Sequence, residues 1–203
     1  IRLSLYEKIK RAAAEHEVTP YMVLMAAYHI LLSKYSGYED IVTGAPIAGR
    51  DHADLANIIG MFVKTLPLRT EPVAELTVRE YLAHVRKRVL DGQAHAVYPL
   101  EALLDDVDLP VDSGRSPLFD NVFVLQNMER AQPRIAGLEI EPCEVVTNRS
   151  KFDLTWACAE ETDGLRIAVE YDTALFRAGT VARMLRHFER ILEQIADEPE
   201  RRI

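Results

Sequence analysis

The stretch Ile58–Thr70, which reads IIGMFVKTLPLRT, decides the fold of this chain. Gly60 interrupts an apolar run, which indicates a bend or a close approach of the backbone. The residues 61–68 favour a strand, and Pro67 predicts that this strand lies at a sheet edge, because proline cannot donate a backbone hydrogen bond. Arg69 closes the stretch with a fixed charge. This combination is typical either of one wall of a ligand channel or of a buried edge strand whose arginine reaches solvent.

The bulk composition limits the classes of protein to which the chain can belong. Its 203 residues are 48% hydrophobic, which is enough for the core of one domain or of one lobe of a larger structure. The formal net charge of −8 argues against nucleic-acid binding, which requires a basic face. No stretch is long and apolar enough to span a bilayer, and no signal-peptide pattern opens the chain. We therefore expect a cytoplasmic protein that binds neither nucleic acid nor membrane.

The cysteines and the chain ends add two expectations. Cys143 and Cys158 lie in strand-like contexts, so we expect reduced core residues and neither a disulfide nor a zinc site. The chain starts at Ile1, without a methionine, and leads almost at once into a helix signal. It ends equally abruptly at Ile203. We expect a fragment cut from a longer polypeptide.

Apolar residues at helical spacing predict five helices, over 5–16, 22–32, 78–94, 100–107 and 181–195. Start signals precede three of them, and these are the capping-box pairs Ser4–Glu7 and Thr77–Glu80 and the dipeptide Thr19–Pro20. The second helix is apolar almost all round, so we expect it to be buried. His29 lies within it, and we expect a neutral core histidine because no second metal ligand lies one turn away.

Strand signals dominate the second half of the sequence. Alternating or β-prone residues predict strands over 40–48, 61–68, 119–126, 152–158 and 165–171, with an interrupted strand over 138–146. Thr162–Gly164 has the composition of a hairpin turn. The order of helices and strands predicts a mixed α/β sandwich.

Two further stretches combine polar side chains with turn or helix signals. His95–Glu101 reads HAVYPLE, in which Pro99 suits the first turn of a helix and Glu101 is favourable against the helix dipole. That role accounts for Glu101 without catalysis. Asp112–Phe119 reads DSGRSPLF and closes a turn-rich loop.

In this order, the three stretches resemble motifs of nonribosomal peptide synthetase condensation domains. The first resembles GxFVNT followed by an arginine, with Lys64 in place of the asparagine, and the matching residues are Ile59, Gly60, Phe62, Val63, Thr65 and Arg69. The second resembles HQDYPFE but lacks the polar pair before the tyrosine, and it matches at His95, Tyr98, Pro99 and Glu101. The third resembles RDxSRNPLF and matches at Asp112, Arg115, Pro117, Leu118 and Phe119.

Two other segments also resemble this family. The segment before the first motif is similar to GxxxAGRxHxDL, and His52 within it invites a catalytic interpretation. The family's catalytic histidine belongs to another motif, so we expect His52 to be a solvated loop residue. In the segment 150–154, Lys151 is either a functional lysine or the partner of Asp153 in a structural ion pair.

The resemblance covers essentially the whole chain and implies that residues 1–203 are the C-terminal lobe of a condensation domain, without its N-terminal lobe. It implies a chloramphenicol acetyltransferase-like fold, in which two similar lobes form a V around a tunnel. In this family an acceptor amine attacks a donor thioester, assisted by the second histidine of HHxxxDG. No two histidines are adjacent in the sequence. We therefore expect no catalytic residue in this chain and no condensation by the chain alone.

The resemblance also implies a site and a set of partners. The expected wall of the tunnel consists of Gly60, Phe62, Lys64, Thr65 and Arg69. Arg69 and Arg115 are expected either to fix loops or to meet phosphate. Expected contacts to the phosphate of phosphopantetheine come from local basic groups such as Lys64, Arg115 or Lys151. The expected partners are upstream and downstream peptidyl carrier proteins, which carry the phosphopantetheine, together with the N-terminal lobe and an adenylation domain. We expect no directly bound cofactor or metal.

Three questions stay open at the level of the sequence. Lys64 changes acceptor preference if it lines the tunnel and has no such effect if it points outward. The chain also fits an epimerisation-type relative of the same fold. A third possibility is a non-catalytic lobe that only docks carrier proteins.

Overall fold

The computed structural model of the chain describes residues 1–50, 52–107, 115–126, 135, 137–138 and 149–203. Asp112 and Cys143 lie outside these residues, as does all but the first residue of the predicted strand over 138–146. Within the described ranges, no helix is long and apolar enough to cross a membrane.

Five strands form one mixed sheet. They are β1 (Ile41–Ile47), β2 (Lys64–Thr70), β3 (Asn121–Gln126), β4 (Leu154–Glu161) and β5 (Gly164–Tyr171). The strand order is β2-β1-β3-β4-β5, with β1, β3 and β4 parallel to one another and β2 and β5 antiparallel to their neighbours. The edge position predicted from Pro67 is confirmed, since β2 is an outer strand and Pro67 lies opposite Gly44 of β1. The hairpin at Thr162–Gly164 is also confirmed, because it joins β4 to β5.

The predicted strand over 61–68 is displaced in the structure, where β2 begins at Lys64. Met61 is 93% exposed and Val63 is 60% exposed. These side chains do not pack against the core. β-Propensity alone does not place them in the strand, because that propensity reflects packing on a half-buried surface.

Five helices accompany the sheet. They are α1 (Leu3–Glu15), α2 (Pro20–Ser36), α3 (Val78–Ala94), α4 (Leu100–Asp106) and α5 (Ala178–Asp197). Helices α1, α2, α3 and α5 contact one another or the strands beneath them and share one apolar core with the sheet. The mixed α/β sandwich predicted from the sequence is confirmed.

Side-chain caps define the starts of two of the five helices, α2 and α3. The Thr77 hydroxyl accepts from the backbone N–H of Glu80 at 3.2 Å, and the Glu80 carboxylate accepts from the backbone N–H of Thr77 at 2.8 Å, so this capping box is confirmed. Thr19 likewise caps α2. The capping box predicted at Ser4 is wrong, because α1 already begins at Leu3 and has no side-chain cap. Glu7 instead pairs with Lys10 at 2.6 Å.

Aromatic rings at the centre of the core fix α2 and α5 on the sheet. Tyr28 of α2 lies 5.0 Å from Phe123 of β3 and 5.2 Å from Trp156 of β4, measured between ring centroids. Trp156 also meets Phe188 of α5 edge-on at 5.0 Å. Cys158, on the same face of β4 as Trp156, is a buried free thiol whose pKa burial raises to about 12, so the expected reduced core cysteine is confirmed at this position.

A chain of side-chain hydrogen bonds crosses the core from α3 to β3. Thr43 donates to the Asn121 side-chain oxygen at 2.6 Å, so it accepts from His29 Nε2–H at 2.9 Å. His29 Nδ1 then accepts from the Thr70 hydroxyl at 2.6 Å, and Thr70 accepts from Tyr81 at 2.7 Å. Burial lowers the pKa of His29 from 6.5 to about 3, which confirms the neutral core histidine.

Candidate functional site

A cavity of about 710 Å³ lies between the edge strand β2 and the turn that joins α3 to α4. It brings together residues of the first two motifs, which are thirty or more positions apart in the sequence. These residues are Lys64, Thr65, His95, Tyr98, Pro99 and Glu101. Most of the remaining lining is apolar and comes from the same two segments, from the last turns of α3 and from the first half of α4. A concave, largely apolar site with a few polar groups is the usual form of a small-molecule site.

Backbone hydrogen bonds shape the wall that faces β2. Helix α3 ends at its C-cap, His95, and the chain turns so that the N–H of Tyr98 donates to the carbonyl of His95 at 3.0 Å. Pro99 then serves as the N-cap residue of α4, and Glu101 lies in the first turn of that helix. The predicted structural role of Glu101 at the helix start therefore holds in the fold, while its carboxylate also borders the cavity.

Lys64 ties the two walls of the cavity together. Its ammonium group donates to the carbonyl of Ala96 at 3.0 Å. Ala96 lies just past the C-terminus of α3, where unsatisfied carbonyls carry partial negative charge, so a cation is favourable there. Lys64 thus lines the cavity and holds the α3–α4 turn against the edge strand.

Two polar side chains on the α3–α4 turn are oriented by nearby acceptors. His95 Nδ1 donates to the carbonyl of Asp91 at 2.8 Å, which leaves Nε2 of the neutral ring as an acceptor. The Tyr98 hydroxyl donates to the carboxylate of Asp106 at the end of α4. That hydrogen bond raises the pKa of the Tyr98 phenol above its ordinary value. Sequence reasoning missed Asp106, because only the fold of α4 brings it back to the tyrosine.

Gly60 and Phe62 lie outside the lining of this cavity and pack against Arg50 instead. The Arg50 guanidinium lies 4.3 Å above the Phe62 ring and donates to the carbonyls of Leu55 and Gly60. A Cβ atom at Gly60 would be 3.3 Å from the Phe62 ring, which agrees with the close approach expected at this glycine. The place of Gly60 and Phe62 in a tunnel wall stays a prediction.

Arg69 lies at the opposite end of β2 from Lys64. Its guanidinium makes a two-pronged ion pair with Asp40, with N···O distances of 2.8 Å and 2.7 Å. The pair lowers the pKa of the Asp40 carboxyl. This arrangement matches the interpretation of the first motif as an edge strand whose arginine reaches solvent, because the Arg69 side chain is 63% exposed.

The third motif forms a separate cluster at the start of β3. Arg115 pairs with Asp120, and the buried Phe119 packs so closely on Gly44 that a Cβ there would be 2.4 Å from its ring. Asp112 is outside the described residues. The ammonium of Lys151 lies 5.5 Å from the centroid of the Phe152 ring.

Two alternatives weighed from the sequence concern residues away from the cavity. No ion pair joins Lys151 to Asp153 in the part of the chain that the structure describes. His52 is solvated as expected, with its side chain 72% exposed, and it accepts from the backbone N–H of Asp54 at 3.3 Å.

Among the described residues, no group of three or more acidic, histidine or cysteine side chains could hold a metal ion.

The chemistry available in the cavity is that of binding and orientation. Among the residues that the structure describes, its lining contains neither serine nor cysteine. The polar atoms of Lys64 and Tyr98 are already engaged with Ala96 and Asp106. The arrangement therefore suits an apolar or uncharged group held against the edge strand, with the reacting groups supplied from elsewhere.

Curated proteins similar to this chain are bacterial peptide synthetases. The chain is 44% identical over 197 residues to surfactin synthase subunit 1 of Bacillus subtilis (strain 168), covering 97% of this chain and 6% of that protein. It is 44% identical over 199 residues to bacitracin synthase 3 of Bacillus licheniformis, covering 98% of this chain and 3% of that protein. The chain thus spans only a small part of these relatives.

Solved structures share the fold over the whole chain. The X-domain from teicoplanin biosynthesis superposes with a TM-score of 0.88 at 27% identity and covers 99% of this chain and 46% of that one. The condensation domain of the monacolin K polyketide synthase MokA superposes with a TM-score of 0.83 at 23% identity, covering 100% of this chain and 47% of that one. The chloramphenicol acetyltransferase-like fold expected from the sequence is confirmed.

The family model described as the condensation domain matches residues 2–203, which is almost the entire chain. Relatives that share more than 40% of its residues include synthases of surfactin, bacitracin and tyrocidine. The motifs that line the cavity are those by which the sequence resembles the same family. The chain belongs to the condensation domain family of the nonribosomal peptide synthetases.

Proposed function

We propose that this chain is the C-terminal lobe of a condensation domain and supplies one wall of the passage in which an amine attacks a carrier-bound thioester. The observation that carries the proposal is the convergence of two motifs, around Lys64–Thr65 and His95–Glu101, on one cavity beside β2. The solved relatives support it, because the chain covers only 46% to 47% of two such chains and matches them over its whole length.

The proposed reaction forms a peptide bond between two carrier-bound units. The nitrogen of the acceptor amine attacks the carbonyl carbon of the donor thioester, the carbon–sulfur bond breaks, and the thiol of phosphopantetheine leaves with a proton. The six histidines of the chain are all isolated, so the HHxxxDG motif is not within these residues. We propose that the N-terminal lobe supplies it, and that this chain alone is inactive.

The residues of the cavity have positioning roles in this proposal. Lys64 keeps the α3–α4 turn against the edge strand, and the hydrogen bond from Tyr98 to Asp106 keeps the phenol on the turn in a fixed orientation. The proposed partners are the two carrier proteins with their phosphopantetheine arms, the N-terminal lobe and an adenylation domain. We propose a cytoplasmic location.

A cavity-filling substitution in the complete two-lobe domain tests the proposal. With both carriers loaded, the dipeptidyl product on the acceptor carrier is measured by mass spectrometry. Val97→Trp, at a lining position that is 77% exposed, is expected to reduce product formation at least tenfold. The matched control is Leu175→Trp, at a position that is 60% exposed and outside the lining.

Two results would overturn the proposal. Unchanged product formation by Val97→Trp would show that the substrates do not occupy the cavity during the reaction. Dipeptide formation by the 203-residue chain alone would show that the His-His motif is unnecessary. Epimerisation of the α-carbon without dipeptide formation would instead identify an epimerisation-type relative.

A second candidate is a docking module without catalysis. It is favoured by a specific similarity, because the X-domain from teicoplanin biosynthesis, solved in complex with OxyB, matches this chain with a TM-score of 0.85 at 27% identity. This candidate predicts partner binding without any turnover in the complete protein. Any dipeptide product in the experiment above excludes it.

A further inference from the structure

Helix α5 turns a basic face to solvent. Its inward face consists of buried apolar residues at helical spacing, and these are Val181, Met184, Phe188, Leu192 and Ile195. On the opposite face, Arg183, Arg186 and Arg190 are exposed and follow one another at spacings of three and four positions. We call these three residues the arginine row. Because the chain has a formal net charge of −8, the row is a basic region on a protein that is acidic overall.

The spacing within the arginine row opposes helix stability. Residues three or four positions apart on a helix are neighbours, so Arg186 lies beside both Arg183 and Arg190, and like charges at these spacings destabilise a helix. Toward the start of α5, the neighbours of Arg183 at the same spacings are Gly179 and Thr180, which carry no charge. The row therefore concentrates positive charge on a surface where an acidic partner can neutralise it.

The two edges of the arginine row differ in chemistry. Along one edge lie Glu189, which is half-buried, and Glu193, which is exposed. Along the other edge, the ring of His187 lies 5.9 Å from that of Tyr35 of α2, centroid to centroid, and its Nδ1 shares a hydrogen bond with the Tyr35 hydroxyl at 3.1 Å. Tyr38, just beyond α2, is 71% exposed. Arginine and tyrosine are enriched at the centres of protein interfaces, so this composition favours a protein partner.

The length of the arginine row limits what can dock on it. Seven positions separate Arg183 from Arg190, which corresponds to about 10 Å along the helix axis. Carboxylates at the same spacings on a second helix can face all three guanidinium groups, each of which can bind a carboxylate through two hydrogen bonds. A nucleic acid carries phosphates far beyond this length, where the net negative charge of the chain repels them.

We propose that the arginine row docks an acidic helix of a partner protein. Glutamate or aspartate side chains of that helix face Arg183, Arg186 and Arg190, and the helix packs beside Tyr35 and Tyr38. The lining of the candidate site comes from β2, α3, α4 and the turn between the two helices, so this docking surface is separate from it. The proposal does not depend on the proposed function.

Binding of an acidic model helix to the purified chain tests this proposal. The probe is a fluorescein-labelled, alanine-based peptide of about 20 residues with glutamates three and four positions apart along one face. Fluorescence anisotropy measures its affinity at about 50 mM salt. A peptide with glutamine in place of every glutamate is the matched control. We expect the glutamate peptide to bind about tenfold more tightly, and about 0.3 M salt to weaken its binding about fivefold.

Two triple variants locate the docking surface. The variant Arg183→Gln, Arg186→Gln, Arg190→Gln is expected to weaken binding of the glutamate peptide about tenfold or more, because each exposed ion pair contributes about twofold to fivefold. The variant Arg183→Lys, Arg186→Lys, Arg190→Lys keeps the charge but removes the forked donors. We expect it to weaken binding about threefold.

A third triple variant is the matched control for loss of charge. It combines Arg11→Gln, Lys87→Gln and Arg202→Gln, at exposed positions on α1, on α3 and beyond α5. It changes the net charge of the chain by the same three units as the glutamine variant of the row, and affinity is expected to change by about twofold at most. Circular dichroism confirms the fold of each variant.

Three results would overturn the proposal. The first is equal affinity for the glutamate and glutamine peptides, and the second is an equal loss of affinity in the glutamine variant of the row and its matched control. The third is tighter binding of a DNA duplex, or of phosphatidylcholine vesicles with about 20% phosphatidylserine, than of the glutamate peptide. None of these measurements involves condensation, so a failure here leaves the proposed function standing.

Discussion

At the scale of single residues, Lys64 has a structural task that its position in the motif does not reveal. Asparagine is the usual residue at this position of the motif that the sequence resembles, and its side chain is two bonds shorter than that of lysine. The lysine side chain reaches across to the carbonyl of Ala96, 32 positions further along the chain. The substitution therefore joins two segments that the sequence shows as separate motifs.

Removing the charge of Lys64 is expected to loosen the α3–α4 turn. Lys64→Met eliminates the hydrogen bond to Ala96 and should lower the free energy of unfolding by about 1 kcal/mol, measured by urea denaturation. Lys87→Met removes an exposed lysine of α3 and is the control, with an expected change within about 0.5 kcal/mol. An equal loss in both variants would contradict a specific role for Lys64.

His29 makes the stability of the chain depend on pH. Its pKa is about 3 in the folded protein and near 6.5 when unfolded, so the unfolded state binds an extra proton between these values. Stability is therefore full above pH 6.5 and falls as the pH is lowered, by up to about 1.4 kcal/mol per pH unit. Urea denaturation from pH 7 to pH 4.5 measures the slope.

The matched variant for this prediction is His29→Gln. It is expected to be less stable at neutral pH, because the hydrogen bonds to Thr43 and Thr70 are disturbed. The slope of its unfolding free energy against pH should be smaller by the contribution of one proton, because glutamine does not titrate. A variant with the same slope as the native chain would show that His29 does not titrate on unfolding.

At the scale of elements, a helix start is only as well defined as its cap. Thr77 and Glu80 satisfy each other's backbone N–H groups, and α3 has the bounds 78–94 predicted from the sequence. Ser4 has the same sequence spacing to Glu7 but lies inside α1. The same sequence spacing therefore forms a cap at Thr77 and none at Ser4, so the spacing alone does not establish a cap.

A pair of alanine substitutions measures this difference. Thr77→Ala should lower the free energy of unfolding by about 1 kcal/mol, because the N–H of Glu80 loses its acceptor. Ser4→Ala should leave stability within about 0.5 kcal/mol, because no cap bond is lost and alanine is a good helix former. Thermal and urea denaturation of both variants provide the measurement, and a larger loss at Ser4 would contradict it.

The sequence predicts elements better than it predicts the candidate site. The stripe along α5 and the alternation along β4 are local signals that each arise from one buried face, and the structure confirms both elements. The contacts of Arg50 with Phe62 and of Tyr98 with Asp106 join residues on different local elements or across a turn. No periodicity encodes such contacts, and so the walls of the cavity emerge only from the fold.

At the scale of the whole molecule, the segment before β2 leaves apolar side chains in solvent. Ile59 is 101% exposed and Met61 is 93% exposed, and Val63 beside them is 60% exposed. The large core is on the helix-covered face of the sheet, so it cannot take up these residues. An exposed apolar segment of this kind is a candidate surface for interaction.

Polar, uncharged substitutions in this segment test that interpretation. The double variant Ile59→Gln, Met61→Gln is expected to reduce the fluorescence of bound anilinonaphthalene sulfonate about twofold or more, with stability changed by at most about 0.5 kcal/mol. Leu175→Gln, at an exposed leucine away from this segment, should leave the fluorescence nearly unchanged. Equal fluorescence in all three proteins would show that the dye reports another surface.

Pro67 in the middle of the edge strand has a consequence for the behaviour of the chain at high concentration. An outer strand offers a row of backbone groups on which strands from other molecules can assemble into fibrils. Proline contributes no N–H to such a row and interrupts the run Leu66–Leu68 at its centre. A proline at this position is therefore expected to disfavour the growth of fibrils on the open side of the sheet.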